Sequence, residues 1–511
     1  MPNSPVWKAA PILSAALAGC AVVAAGVACT FFTPTPVAWS LTPAPGSAST
    51  QAVASALTGV PAPATALPAS TRPPATAAAP TGSPAPSRPG PWLIYSRAGG
   101  NQVSAYDPQK GVSTAIDQAG PARFPADLGS GVSPAGGWAA YRSGQKDLAD
   151  LALELVHLPE GTRRAHLPLF SESVLKSLQA ANQGGQLPAA VAAVTQPDSF
   201  AWSPDGRTLA FVGAADGPSS DLYLLDASSG QARRLTEGLN QVTRPTWSPD
   251  GLWVVFQEVT SFNGPPGWKL GAVWAAATDH NELRKLYAPP ANSIGEAFLG
   301  WSAPDLLVVA TQTADALQDI RAVPISARFV DPLYAGPVDH AVLDASSQAL
   351  VFTETAVTGS GLGLAPGLYW LPGLKSPPQF IQAGAWDPLG YSPVLKRFTA
   401  AGEQGLMIFT PGGNSLLVKG EAGASPSPDG HWLAGWGPAA NPGLRLYQPD
   451  GLLLQTLTSS PVSQVLWQPD SLSIDYLAGG NLFRASFPQA QPVQLDQQVD
   501  PGSLGWVNPP R

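Results

Sequence analysis

The chain has 511 residues, 44% of them hydrophobic, and carries 35 acidic against 27 basic side chains for a formal net charge of −8. Lys and Arg are sparse and form no basic stripe, which argues against a nucleic-acid surface. Both cysteines, Cys20 and Cys29, fall in one N-terminal apolar run, so the folded part holds no disulfide, and at this length it needs none.

Residues 9–32 are uncharged and mostly apolar, long enough to cross a bilayer. Within them Leu17-Ala18-Gly19-Cys20 resembles the lipobox of bacterial lipoproteins, which makes Cys20 the candidate for lipid attachment. The run stays apolar beyond Cys20, and only Lys8 charges the segment ahead of it. A signal-anchor helix over residues 1–32 is therefore favoured over a lipid anchor, with a cleaved secretory signal third. All three export the rest of the chain. Residues 33–91 are crowded with Pro, Ala, Ser and Thr, and their only charges are Arg72 and Arg88. Such a stretch cannot bury enough apolar surface to fold, so it is expected to be a disordered, semi-extended linker.

Beyond it a short phrase returns: Trp202-Ser203-Pro204-Asp205-Gly206, Trp247-Ser248-Pro249-Asp250-Gly251, and Pro426-Ser427-Pro428-Asp429-Gly430. Ser at position i, Pro at i+1 and Gly at i+3 spell a type I turn between antiparallel strands. The flanks fit. Thr208 to Val212 and Asp221 to Asp226 read as the next strands, and Ala232 to Thr236 as a fourth. Four short strands per unit of about 40 residues match one blade of a β-propeller. The turn places blades near Ser133, Ser203, Ser248, Ser302, Asp344, Asp387, Ser427 and Gln468. The long step from Ser133 to Ser203 accommodates an inserted helix at 171–198, opened by Ser171 as cap.

Trp92 to Tyr95 starts as a second strand without a first, and Ser503 to Trp506 ends as a first strand without a second. Pairing of the two would close the ring and remove its open sheet edges. The expectation is thus an all-β propeller over 92–508 of about eight four-stranded blades, with seven to nine open. Trp202, Trp247, Trp301, Trp386 and Trp467 are read as equivalent residues packing between neighbouring blades. Asp205, Asp250 and Asp429 are read as bonding their own turns, and Gly206, Gly251 and Gly430 as its left-handed positions.

The aromatic-Ser-Pro-Asp-Gly turn, together with Leu222-Tyr223 to Asp226 and Arg233-Arg234-Leu235-Thr236, resembles the TolB-like β-propeller repeat, which is shared by the propellers of prolyl-oligopeptidase and dipeptidyl-peptidase relatives. The resemblance implies architecture and says little of function.

Catalytic signatures are not found. No Gly-x-Ser-x-Gly elbow occurs, and the five histidines, His157, His166, His280, His340 and His431, show no metal-ligand spacing. His157 and His166 are expected to face solvent. The turn also resembles the sialidase Asp-box, itself a structural turn. The sequence therefore points to a non-catalytic, cofactor-free, membrane-tethered propeller outside the cytoplasm of a bacterium. Its partner would be a protein, a peptide or an envelope glycan. A propeller enzyme acting on glycans or peptides at the central channel is the alternative. The loop at 259–269, with Phe262 and Trp268, is the candidate binding surface, because loops on a rigid scaffold commonly carry function.

Overall fold

The computed structural model describes residues 90–510, apart from 117–119, 146, 182–186, 218, 239, 262–268, 291–292, 294, 313–316, 327–329, 345, 347 and 355–363. Its strands form eight antiparallel sheets that contain nine propeller blades, one sheet of seven strands supplying two of them. Blade 1 consists of Gly505–Val507, Trp92–Arg97, Gln102–Asp107 and Val112–Ala115, from the innermost strand outward. Blade 2 has Trp138–Ser143, Ala152–His157 and Thr162–Pro168, its innermost position reduced to a single bridge between Val132 and Ala139. Blade 3 comprises Phe200–Trp202, Thr208–Gly213, Asp221–Asp226 and Ala232–Arg234; blade 4 comprises Gln241–Trp247, Trp253–Ser261, Lys269–Ala277 and Leu283–Tyr287.

Blades 5 and 6 share a strand. Asp331–Asp344 pairs first with Leu317–Pro324 as the outer strand of blade 5, then with Ala349–Glu354 as the inner strand of blade 6. Gly295–Ala303 and Leu306–Gln312 complete the former; Gly367–Leu371 and Gln379–Ala383 complete the latter. Blade 7 holds Trp386–Ser392, Arg397–Gly402, Gly405–Phe409 and Ser415–Lys419. Blade 8 holds Gly423–Pro426, Leu433–Trp436, Leu444–Tyr447 and Leu453–Thr458, and blade 9 Val462–Trp467, Ser473–Ala478, Asn481–Ser486 and Gln491–Asp496.

The core lies between blades, and it runs all the way round. One apolar cluster joins blades 2, 3 and 4, and others join 4 to 5, 5 to 6, 6 to 7, 7 to 8, 8 to 9, 9 to 1 and 1 to 2. Burying both faces of each sheet explains the near-continuous apolar second strands, such as Leu209 to Val212. The ends meet as expected: Leu93 pairs with Trp506 and Trp92 with Val507. A polar latch reinforces the join. Ser96 Oγ donates to Asp500 Oδ2 at 2.7 Å across 404 residues, Gly99 and Gly100 amides donate to the same carboxylate, and Arg97 pairs with Asp496 at 2.7 Å.

The ring has nine blades, the upper end of the expected range and one more than the favoured eight. Every marked region holds a true blade, although Asp387 lies at the start of the strand Trp386–Ser392 and the turn of that blade comes at 393–396, and the closing strand builds one more. Trp386 corrects the sequence reading, because it is not equivalent to the other tryptophans. It opens the strand Trp386–Ser392, whereas Trp202, Trp247 and Trp467 end theirs. Those three N–H groups donate to the inner strand or its lead-in on the preceding blade, at Gly131, Ala201 and Ser425.

Between blades 2 and 3 stand helices Glu172–Ala181 and Leu187–Thr195. Ser171 Oγ caps the first by accepting from the Val174 amide at 3.2 Å. Arg142, 1% exposed, fixes the second. Its guanidinium makes a bidentate pair with Asp127 at 2.8 Å on both arms. It also donates to the carbonyls of Val194 and Gln196, with Phe124 stacked 4.1 Å away.

Candidate functional site

The repeated turns all emerge on one side of the ring, the turn face, because each links an inner strand to the second strand of its blade. In blade 3 the Ser203 hydroxyl donates to Asp205 Oδ1 at 2.6 Å, and the Arg207 amide donates to the same oxygen at 3.1 Å. Ser203 Oγ accepts from the Thr208 amide at 3.0 Å, and Gly206 takes φ +67°. Ser248, Asp250 and Gly251 repeat the pattern, as do Ser427, Asp429 and Gly430. The aspartates therefore serve the turn first.

Between the turns of blades 3 and 4 opens a cleft of 560 Å³, lined by Ser203, Asp205, Asp226, Gln231, Arg233, Trp247, Asp250, Gly251 and Thr278. It presents three carboxylates, one guanidinium and an indole. Hydrogen bonds from Ser228 and Ser229 hold the Asp226 carboxyl below its ordinary range, so that group stays ionised. Each carboxylate already accepts from its own turn, an arrangement suited to recognising a polar surface rather than to moving protons.

The opposite face carries buried acids instead. Burial pushes Asp221 up to about 6, although Thr236 donates to it at 3.1 Å. Glu296, fully buried at the start of the inner strand of blade 5, is pushed up to about 7 by desolvation. Glu354, which accepts from the Tyr334 hydroxyl, also rises to about 7 for the same reason. These acids sit on blades 3, 5 and 6, each with a local partner. The Tyr287 hydroxyl lies against the Glu296 carboxyl and opposes that rise, while Gln257 Nε2 has no hydrogen-bond partner among the described residues. Sequence reasoning missed all of these groups; the available signal was a lone acid in an apolar strand, as in Gly295-Glu296-Ala297-Phe298.

Of the residues singled out from sequence, Asp205, Gly251, Trp247 and Asp250 come together at the blade 3–4 cleft. Gly206 and Trp202 lie just beside it in the same turn, while Asp429 and Gly430 line a separate groove on blade 8. Cys20, Phe262 and Trp268 lie outside the described residues. Of the two histidines expected to face solvent, His166 does so, its side chain 45% exposed with Nδ1 2.8 Å from the buried Glu154 carboxylate. His157 departs, half-buried against Trp138 with ring centroids 4.2 Å apart. Among the described residues no three His, Cys, Asp or Glu side chains gather as a metal ion requires.

Residues 174–263 match the model of the lipoprotein LpqB beta-propeller domain, a span that covers most of the helical insertion, blade 3 and the first strands of blade 4. This is less than half of the chain. The uncharacterized peptidase YuxL of Bacillus subtilis (strain 168) is 50% identical over 50 residues, 10% of this chain and 8% of that protein. The uncharacterized protein Atu1656 of Agrobacterium fabrum is 42% identical over 55 residues, 11% and 18% of the two. The chain thus spans less than a fifth of the length of the curated relatives it matches. Among solved structures, Porphyromonas gingivalis dipeptidyl peptidase 4 aligns over 77% of this chain and 65% of its own, at 13% identity and a TM-score of 0.45. The chain is an all-β propeller of four-stranded blades, and likenesses at these levels define no activity.

Proposed function

We propose that this chain is a tethered propeller on the extracytoplasmic side of a bacterial envelope, binding or scaffolding a protein, peptide or envelope glycan without catalysing a reaction. The observation that supports this reading is the match of residues 174–263 to a lipoprotein propeller domain, set in a ring latched shut by its own ends. In this reading residues 1–32 supply the tether, residues 33–91 hold the ring away from the bilayer, and Cys20 is the acceptor if the tether is a lipid. Among the described residues no helix is long and apolar enough to cross a membrane.

Fractionation of cells producing the full chain tests this directly. The expected result is a membrane-bound protein digested by protease added to spheroplasts, with palmitate labelling lost in Cys20→Ala if the anchor is lipid. A soluble, protease-protected chain overturns the reading.

The buried acids give one reason to keep an enzyme in view. A propeller acting on glycans or peptides at the channel would draw on carboxyls protonated near neutrality, as Glu296 and Glu354 are. Turnover by purified protein that disappears in Glu296→Gln, with the fold intact, would favour that alternative.

A further inference from the structure

Two turns on the turn face of blades 8 and 9 are nearly the same peptide: Gln448-Pro449-Asp450-Gly451-Leu452 and Gln468-Pro469-Asp470-Ser471-Leu472. In each the leucine amide donates to the aspartate, at 3.1 and 2.9 Å. That bond fixes the turn and leaves the leucine side chain outside the core, Leu452 57% exposed and Leu472 61% exposed. A single exposed leucine is ordinary; a cluster beside a groove is a mark of contact with something else.

The groove is present. A cleft of 490 Å³ runs between the two turns of blade 8, with Trp432, His431, Gln448 and Pro449 in its walls. Trp432 stacks on Phe487 of blade 9 with centroids 5.1 Å apart, and the Asp429 amide donates to Ser471 Oγ at 3.0 Å. The surface is therefore continuous across the blade 8–9 seam. Its rim is acidic. Asp429, Asp450 and Asp470 are exposed, and the three turns over 427–432, 448–452 and 468–472 contain no Lys or Arg.

We infer that this surface docks an amphipathic, basic peptide segment of a partner protein, its apolar side chains on Leu452, Trp432 and Leu472 and its Lys or Arg side chains against Asp429, Asp450 and Asp470. A part-buried indole is among the side chains that most often anchor such a contact, and an apolar helix face laid in a groove is a recurrent way of filling it. The charge selects the occupant. Three carboxylates repel an anionic lipid surface, and a symmetric pairing of two copies through this patch would set like charges against each other.

The inference rests on reading the ring as a binding scaffold, but it is tested without reference to the membrane. The purified full chain is titrated with a helical Leu/Lys peptide of about 18 residues, five turns, and with the same peptide carrying Glu for Lys. The Lys peptide is expected to bind and the Glu peptide not. Leu452→Ser with Leu472→Ser weakens binding by at least about tenfold, as does Asp450→Asn with Asp470→Asn, with melting unchanged. Leu252→Ser is the matched control, since Leu252 holds the same place in the blade 4 turn and is 51% exposed; it leaves binding untouched. Equal loss in the control, equal binding of the Glu peptide, no binding of either, or a Leu452- and Leu472-dependent affinity for lipid vesicles or for a second copy overturns the assignment. Failure here with the chain still on the outer membrane face removes this docking surface alone, whereas a cytosolic chain removes the scaffold reading itself.

Discussion

Replacing Gly206 or Gly251 with alanine adds the same methyl group to the same turn, yet the two changes should differ severalfold. Both glycines have left-handed backbones, at φ +67° and +73°, so each substitution carries a strain of about 1–2 kcal/mol. At Gly251 nothing else opposes it, since the new carbon would find its nearest neighbour, Pro204 Cδ, 4.0 Å away. At Gly206 the carbon would lie 2.3 Å from the Ala135 amide nitrogen and 2.6 Å from Ser133 Oγ. That backbone cannot swing aside, because Ser133 Oγ donates to the Gly206 carbonyl at 2.7 Å and accepts from the Ala135 amide. Overpacking of this kind costs roughly a further 1–3 kcal/mol. Gly206→Ala is thus expected to lose about 2–5 kcal/mol in urea unfolding monitored by tryptophan fluorescence, and Gly251→Ala about 1–2. Equal losses, or a larger one at Gly251, would show that the blade 2–3 seam does not press on this turn.

Arg142→Ala strips Asp127 of its partner in a buried site and should cost about 3–5 kcal/mol, with faster amide exchange over Leu187–Thr195 as the specific sign that the second helix has come loose. Asp500→Ala removes the acceptor that clasps Ser96, Gly99 and Gly100; limited proteolysis near the chain ends should accelerate before any change elsewhere. Glu296 titrates at about 7 in the folded protein against an ordinary 4.5, so its contribution is full below pH 4.5 and is lost as pH rises through 7. Stability measured from pH 5 to 8 should therefore fall by an amount of order 3 kcal/mol from this group, and Glu296→Gln should flatten the slope. A slope unchanged in Glu296→Gln would move the proton elsewhere.

The fold was legible because a propeller writes its period into local turn chemistry. Ser203, Pro204, Asp205 and Gly206 specify one turn geometry whatever surrounds them, and the unpaired strands at Trp92 and Trp506 specify closure. Blade number was harder to read where the turn had lost its glycine. At Gln468 the left-handed position is held by Ser471 at φ +64°, and at Asp344 by Gln348 at φ +57°, residues that announce no turn. Trp386 misled because an aromatic residue looks alike at either end of a strand.

The candidate site was legible only in part. Asp205 and Asp250 stood out as repeats, but their shared cleft depends on the apposition of two blades. The buried acids on the opposite face were invisible for a different reason. A carboxyl's surroundings are assembled from several strands, and Glu296 meets Gln257 from blade 4 only after the ring has formed.

The strand Asp331–Asp344, common to blades 5 and 6, makes that junction unlike its neighbours. Elsewhere a connecting loop lets one sheet end before the next begins, so the polypeptide could be cut and rejoined there with both modules kept whole. Here a single cut would fray two blades of one continuous sheet at once. New termini engineered into the ring should be tolerated at the other junctions and rejected at this one, which makes the fifth and sixth modules a single inheritance unit within an otherwise divisible array.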